Sequence, residues 1–179
     1  MKFPESPFWN YSTEIWTLTG VESACLELQD EFGININMLL YSCWTGSQLL
    51  CLNDDDLQIL LDAINPLQTI ITPLRDSRKM MKQSLIAMPS SMIEQTLANI
   101  REMELNAEHM AQLALEKALD LKQLKKCADP SSIACCQSNL NAYLQTLDNI
   151  SSIDTTAQKI NQLLNAIYPD EVLAISNES

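Results

Sequence analysis

Residues 91–126 read SMIEQTLANIREMELNAEHMAQLALEKALDLKQLKK, and the spacing inside this stretch decides the fold class. Ile93, Leu97, Ile100, Ala107, Met110, Ala114, Ala118, Leu121 and Leu124 recur at intervals of three, four or seven. That period puts them on one face of an α-helix; the alternation of a strand is missing. Unbroken, about 35 residues of helix would measure ~50 Å. Lys122, Lys125 and Lys126 suit its far end, where the helix dipole is negative.

The same period runs outward in both directions. Residues 12–32 read as a first helix, capped by Ser12, with Leu18, Val21, Cys25, Leu28 and Phe32 on its apolar face. Gly33 fits the left-handed position that ends such a helix. A second helix, from Asn35 or Asn37 to Ser47, is apolar on most sides through Met38, Leu39, Leu40, Tyr41, Cys43 and Trp44, the pattern of a central helix. Asn53 caps a third, with Asp54, Asp55 and Asp56 in its first turn and Asn65 and Pro66 at its end. A fourth covers 66–87, kinked at Pro73. Pro89 marks the main internal boundary and divides the chain into 1–88 and 89–179. Asp129 and Pro130 open a sixth helix reaching about Asn149. Asp154 caps a seventh that holds Ala157, Ile160, Leu163, Leu164 and Ile167 inside and stops at Pro169, leaving 170–179 as a frayed tail. The expected fold is an all-α bundle of about seven helices, with a long helix and a helical hairpin in the second half and no strands.

Composition limits the function classes. An apolar share of 46% suits a packed core and excludes wholesale disorder. With only Gly20, Gly33 and Gly46, the chain has no glycine-rich phosphate loop. The net charge of -12 is concentrated early: residues 1–74 carry ten acids and one base, residues 75–179 thirteen acids and ten bases. Such a balance repels a phosphate backbone, so no nucleic-acid partner is expected. No apolar run reaches the ~20 residues that cross a bilayer, so no membrane insertion is expected. The start, MKFPESPFWN, lacks the pattern of a secretory leader. The expected compartment is the cytoplasm, and Cys25, Cys43, Cys51, Cys127, Cys135 and Cys136 are expected to stay reduced.

Two places stand out as candidate sites. Gln29, Asp30 and Asn37 are polar residues at the junction of the first two apolar helices, beside Tyr41 and Trp44. Either Gln29 and Asp30 clamp the backbone N–H groups that open the second helix, or the set forms a small ligand-binding pocket rimmed by Tyr11, Trp16, Tyr41 and Trp44. Arg75, Arg78, Lys79 and Lys82 fall on one helical face and read either as a stripe paired with the acidic first half (Asp54 to Asp56, Glu27 or Glu31) or as a site for an anion or an acidic partner.

Catalytic and metal sets are not expected. The consecutive Asp54, Asp55 and Asp56 read as a charged cap rather than a metal motif. His109 is the single histidine; it reads as an exposed helical residue and lacks the spacing of a Glu-x-x-His pair. No cofactor is implied.

Residues 8–44, FWNYSTEIWTLTGVESACLELQDEFGININMLLYSCW, resemble the start of an uncharacterised proteobacterial helical family, that of domain of unknown function 2390. The resemblance rests on Phe8, Trp9, Tyr11 and Ser12, on Gly20, Val21, Ala24, Cys25, Leu26, Leu28, Gln29 and Asp30, and on Gly33, Asn37, Leu39, Leu40, Tyr41 and Trp44. The segment PLRDSRKMMK from Pro73 to Lys82 extends it, so it covers the first half of the chain. It implies a helical fold and no assigned activity, substrate or cofactor. The resulting expectation is a protein-interaction or scaffold module, joined by a protein partner or by self-association. The alternative is a small-molecule-binding protein or enzyme with its pocket at the helix junction.

Overall fold

The structure is a computed structural model, and it describes residues 3–83, 89–147 and 153–169. Helix α1 spans Pro7–Trp16, α2 Val21–Phe32, α3 Ile36–Ser47, α4 Asp54–Gln83, α5 Ser90–Ala118, α6 Ser132–Gln145 and α7 Ile153–Ile167. Two short strands, β1 (Leu50–Cys51) and β2 (Lys125–Lys126), pair antiparallel, with Leu50 opposite Lys126 and Cys51 opposite Lys125. The fold is all-α with that one small addition. Among the described residues, no helix is long and apolar enough to cross a membrane.

Helix α3 is the centre. Every residue from Asn37 to Gly46 is buried, as expected of a helix apolar on most sides. Helix α6 packs along α3, α5 along α4 and α7 on α2. One apolar cluster takes Phe8, Leu28, Met38 and Tyr41 from the first half together with Ala111, Leu115, Tyr143 and Leu163 from the second. Each large side chain buried in this way contributes about 1.5–3 kcal/mol.

The structure revises several element boundaries. The helix expected over 12–32 is two helices. Ser6 caps α1, accepting from the Trp9 N–H at 3.1 Å, and Pro7 starts it. Ser12 is therefore buried inside α1 rather than capping anything. Gly20, at φ +92°, turns the chain into α2 and leaves Leu18 38% exposed in the connection. In contrast, the helices expected over 53–65 and 66–87 form one helix to Gln83. Pro66 and Pro73 both lie inside it, on its exposed side. Residues 84–88, with the expected end of that helix, lie outside the described residues. Asn53 caps α4 as expected: its Oδ1 accepts from the Asp56 N–H and the Asp56 carboxylate accepts from the Asn53 N–H, each at 3.0 Å.

The long second-half helix ends at Ala118, not at 126. Leu119 is extended, Asp120 caps a short turn over Leu121–Gln123, and Lys125–Lys126 leave as β2. Its apolar face holds as far as Ala107, with Ile93, Leu97 and Ile100 half-buried, and then shifts: Ala111 and Leu115 are buried, while Met110 is 47% exposed. Ser131 opens α6, accepting from the Ala134 N–H, and Asp129 accepts from the Ser131 N–H. In α7, Ile160, Leu163 and Leu164 are buried but Ala157 is exposed. Helix α6 ends at Gln145, short of the expected 149, with Thr146 as its cap donating its N–H to the Tyr143 and Leu144 carbonyls; the tail 170–179 lies outside the described residues.

The strand pairing also corrects the thiol expectation. It brings Cys51 and Cys127 to a Cα separation of 5.2 Å, and they form a disulfide. Cys25 and Cys43 are buried thiols, and Cys135 and Cys136 are buried within α6.

Candidate ligand-binding cavity

Helix α1 packs on α3 and α5, and α2 also packs on α3. The space these helices enclose with the last turns of α4 is a cavity of about 500 Å³. Its walls are mostly apolar, from Trp9 and Trp16 of α1, Leu26 of α2, Ile36 and Leu40 of α3 and Leu105 of α5. Gln29 and Asp30 enter from the end of α2, Asn37 from the start of α3, and Arg75, Arg78 and Lys79 from α4.

The two sequence candidates are thus one place. Three residues of the helix-junction set and three of the basic stripe line the same cavity. Tyr41, Trp44 and Lys82 do not. Tyr41 and Trp44 pack with Phe8 in an aromatic core group, at ring-centre distances of 5.1–5.4 Å. Burial raises the Tyr41 phenol well above its ordinary value. Lys82 is exposed beyond the cavity.

The clamp assigned to Gln29 and Asp30 is made by another residue. Asn35 caps α3, its Oδ1 accepting from the N–H groups of Asn37 and Met38 at 2.9 and 3.2 Å. The basic stripe is paired, but not with the acids expected. Glu104 accepts from Arg78 Nε and Nη2 at 2.6 and 3.0 Å and from Arg75 Nε at 3.3 Å. Arg75 Nη2 donates to Glu108 at 2.7 Å. Lys79 Nζ donates to Asp30 at 2.9 Å. Asp54 and Asp55 sit exposed at the far end of α4, and Glu27 pairs instead with Lys159 of α7.

From Glu108 the network continues inward. Asn37 donates from Nδ2 to Glu108 and accepts at Oδ1 from Gln112 Nε2 at 3.0 Å. Arg78, Glu104, Arg75, Glu108, Asn37 and Gln112 therefore form one chain across α4, α5 and α3. The two glutamates respond oppositely. Burial pushes the Glu104 carboxyl up, but hydrogen bonds and charge from Arg78 and Arg75 outweigh it and hold the group below the usual range. At Glu108 burial prevails over the bonds from Asn37 and Arg75, and Glu104 adds repulsion, so its carboxyl titrates above the usual range.

Sequence reading missed Glu104, Glu108 and Gln112. A signal for them was present: they recur every four residues, which lines them along one face of α5, as the i, i+3, i+4, i+7 spacing lines the basic stripe along one face of α4. His109 also differs from expectation. Its ring lies between Trp9, at 3.8 Å and an interplanar angle of 6°, and Phe3, at 4.2 Å and 28°. Desolvation there lowers the imidazole pKa. The sandwich fastens the start of the chain and α1 to α5, beside the cavity.

A family model described as a protein of unknown function (DUF2390) matches residues 7–115. The match extends past the resemblance in the first half and takes in nearly all of α5. It contains every residue that lines the cavity, from Trp9 to Gln112. No curated protein and no solved structure matches the chain.

Proposed function

The chain belongs to the DUF2390 family, and from that premise we propose that it is a small-molecule-binding protein whose site is the cavity between α1, α2, α3, α4 and α5. One observation carries this reading. Two groups of polar residues far apart in sequence, Gln29, Asp30 and Asn37 on one side and Arg75, Arg78 and Lys79 on the other, line one cavity with mostly apolar walls. A volume of about 500 Å³, apolar walls and a few fixed polar groups make up the usual anatomy of a ligand site. The charged network holds Arg75, Arg78 and Asn37 in place before any ligand arrives, which lowers the ordering cost of binding.

The test is titration with prodan, a neutral naphthalene dye that brightens in apolar surroundings. Saturable binding at one site is expected. Thr13→Trp and Leu105→Trp, which add bulk at exposed positions in the lining, are expected to abolish it and leave helix content unchanged. Dye binding that does not saturate, or that ignores both substitutions, overturns the reading.

The interaction module expected from the sequence is the second reading. In its favour, Met92, Met103 and Met110 are 49%, 57% and 47% exposed, at spacings that align them on one face of α5. Against it, α5, α6 and α7 are engaged along α4, α3 and α2, so among the described residues no unpaired hairpin stands ready for a partner. A monomer at micromolar concentration in sedimentation removes the self-association form of this reading.

A further inference from the structure

We infer that the ligand is a compact apolar acid, an aryl or branched alkyl carboxylate, whose carboxylate replaces Asp30 on Lys79. The inference rests on the cavity being a ligand site and names the chemistry it takes.

The ion pairs around the cavity are of two kinds. The Arg78, Glu104, Arg75 and Glu108 side chains are only 12–21% exposed, and Glu104 is gripped by two guanidinium groups. Removing a carboxylate from that set leaves charge uncompensated in a poorly solvated place. An incoming acid does not compete there. Lys79 and Asp30 differ: their side chains are 46% and 55% exposed and share one contact. A pair of that kind contributes about 0–1 kcal/mol. Helices α2 and α4 hardly pack on each other otherwise, so little else holds the two groups together. Asp30 also lies in the last turn of α2, where the helix dipole is negative and disfavours a carboxylate.

Lys79 is therefore the cation of the stripe that is free to change partner. Arg75 and Lys82 share its face of α4, one turn to either side, but Arg75 is already held by Glu104 and Glu108, so Lys79 is the cation of the cavity lining that a ligand carboxylate can take over. Arg75 and Arg78 engage their glutamates through Nε and Nη2 alone, which leaves Nη1 of each as a donor for the second carboxylate oxygen. Trp9, Trp16, Ile36 and Leu40 then cover the apolar body.

The experiment is displacement of prodan by phenylacetate, phenylacetamide and phenethylamine, three ligands of one shape and different charge, at neutral pH and low salt. The acid is expected to displace the dye at a concentration about tenfold below the amide, the gain of a charge-assisted hydrogen bond. Lys79→Ala is expected to erase that difference between acid and amide. Asp30→Asn, which removes the competing carboxylate without touching the cation, is expected to tighten the acid further. Equal binding of acid and amide, or preference for the amine, overturns the acid inference and leaves the cavity reading standing. Failure of prodan itself to bind removes both.

Discussion

The seam between α3 and α6 and the seam between α4 and α5 are both long helix pairs, and they are held by opposite means. Along α3 and α6 the charges are absent and the backbones nearly touch. A Cβ at Gly46 would stand 2.6 Å from both the Cys136 Cα and its backbone nitrogen, so only glycine permits the approach. Asn139, 1% exposed, accepts from the Leu52 N–H and donates to the Ser42 and Leu50 carbonyls and to Thr45 Oγ1. All its polar atoms are used, which suits a dry seam. The disulfide closes the same region, since β1 follows α3 and β2 leads towards α6. Along the distal part of α4 and α5, arginines meet glutamates, and beside them the cavity remains. One seam holds the fold together and the other shapes a site.

Substitutions that break this contrast are expected to rank accordingly. The largest effect is loss of the disulfide. Its partners are 76 residues apart, and opening a loop of that size costs about 4 kcal/mol. Urea unfolding with and without reductant measures it, and non-reducing peptide mass spectrometry is expected to find Cys51 joined to Cys127. Next comes Gly46→Ala, expected to cost about 3 kcal/mol because the clash is with backbone that cannot step aside. Asn139→Ala is expected to cost about 2–3 kcal/mol, leaving the Leu52 N–H and the Leu50 carbonyl buried without their partner. Denaturant midpoints check both.

Effects on the other seam are expected to be smaller and pH-dependent. Glu104→Gln is expected to cost about 1–2 kcal/mol at neutral pH. The folded pKa of Glu104 is depressed, so its contribution is complete above the unfolded carboxylate value and is lost as pH falls through the folded one. Glu108 has the reverse sign: its folded pKa is raised, so its ionisation removes stability as pH climbs from the unfolded value through the folded one. Glu104→Gln is therefore expected to be the costlier of the two at neutral pH, with the gap narrowing in acid; melting temperatures between mildly acidic and neutral pH read this out. Smallest of all, Lys79→Ala is expected to change stability by no more than about 0.5 kcal/mol, since its pair is exposed. A large loss there would mean that Lys79 is structural and not an exchangeable partner.

The contrast also explains what the sequence reveals. Helical period, the cap at Asn53 and the central place of α3 depend on neighbours in the chain, and all three were legible. The unbroken α4 was not, because local sequence marks Pro66 and Pro73 as breaks, whereas packing of the helix along α5 offsets their cost. The disulfide depends on two-residue strands pairing across the chain, and no periodicity marks strands that short. For the cavity, both polar groups were visible as oddities in apolar helices, but not that they face each other. Tyr41 and Trp44 were drawn into the site because aromatics line pockets as well as cores, and only packing separates the two. Glu104 and Glu108 went unremarked because nothing in the sequence says that Arg75 and Arg78 lie opposite them.

The most direct measurement is the amide and indole chemical-shift map of the isotope-labelled protein titrated with phenylacetate. Shifts centred on the Trp9 and Trp16 indoles, on Gln29 and on the α4 turn around Lys79 are expected. Shifts confined to the Met92, Met103 and Met110 face of α5, with the two indoles unmoved, would contradict the assignment of the cavity as the binding site.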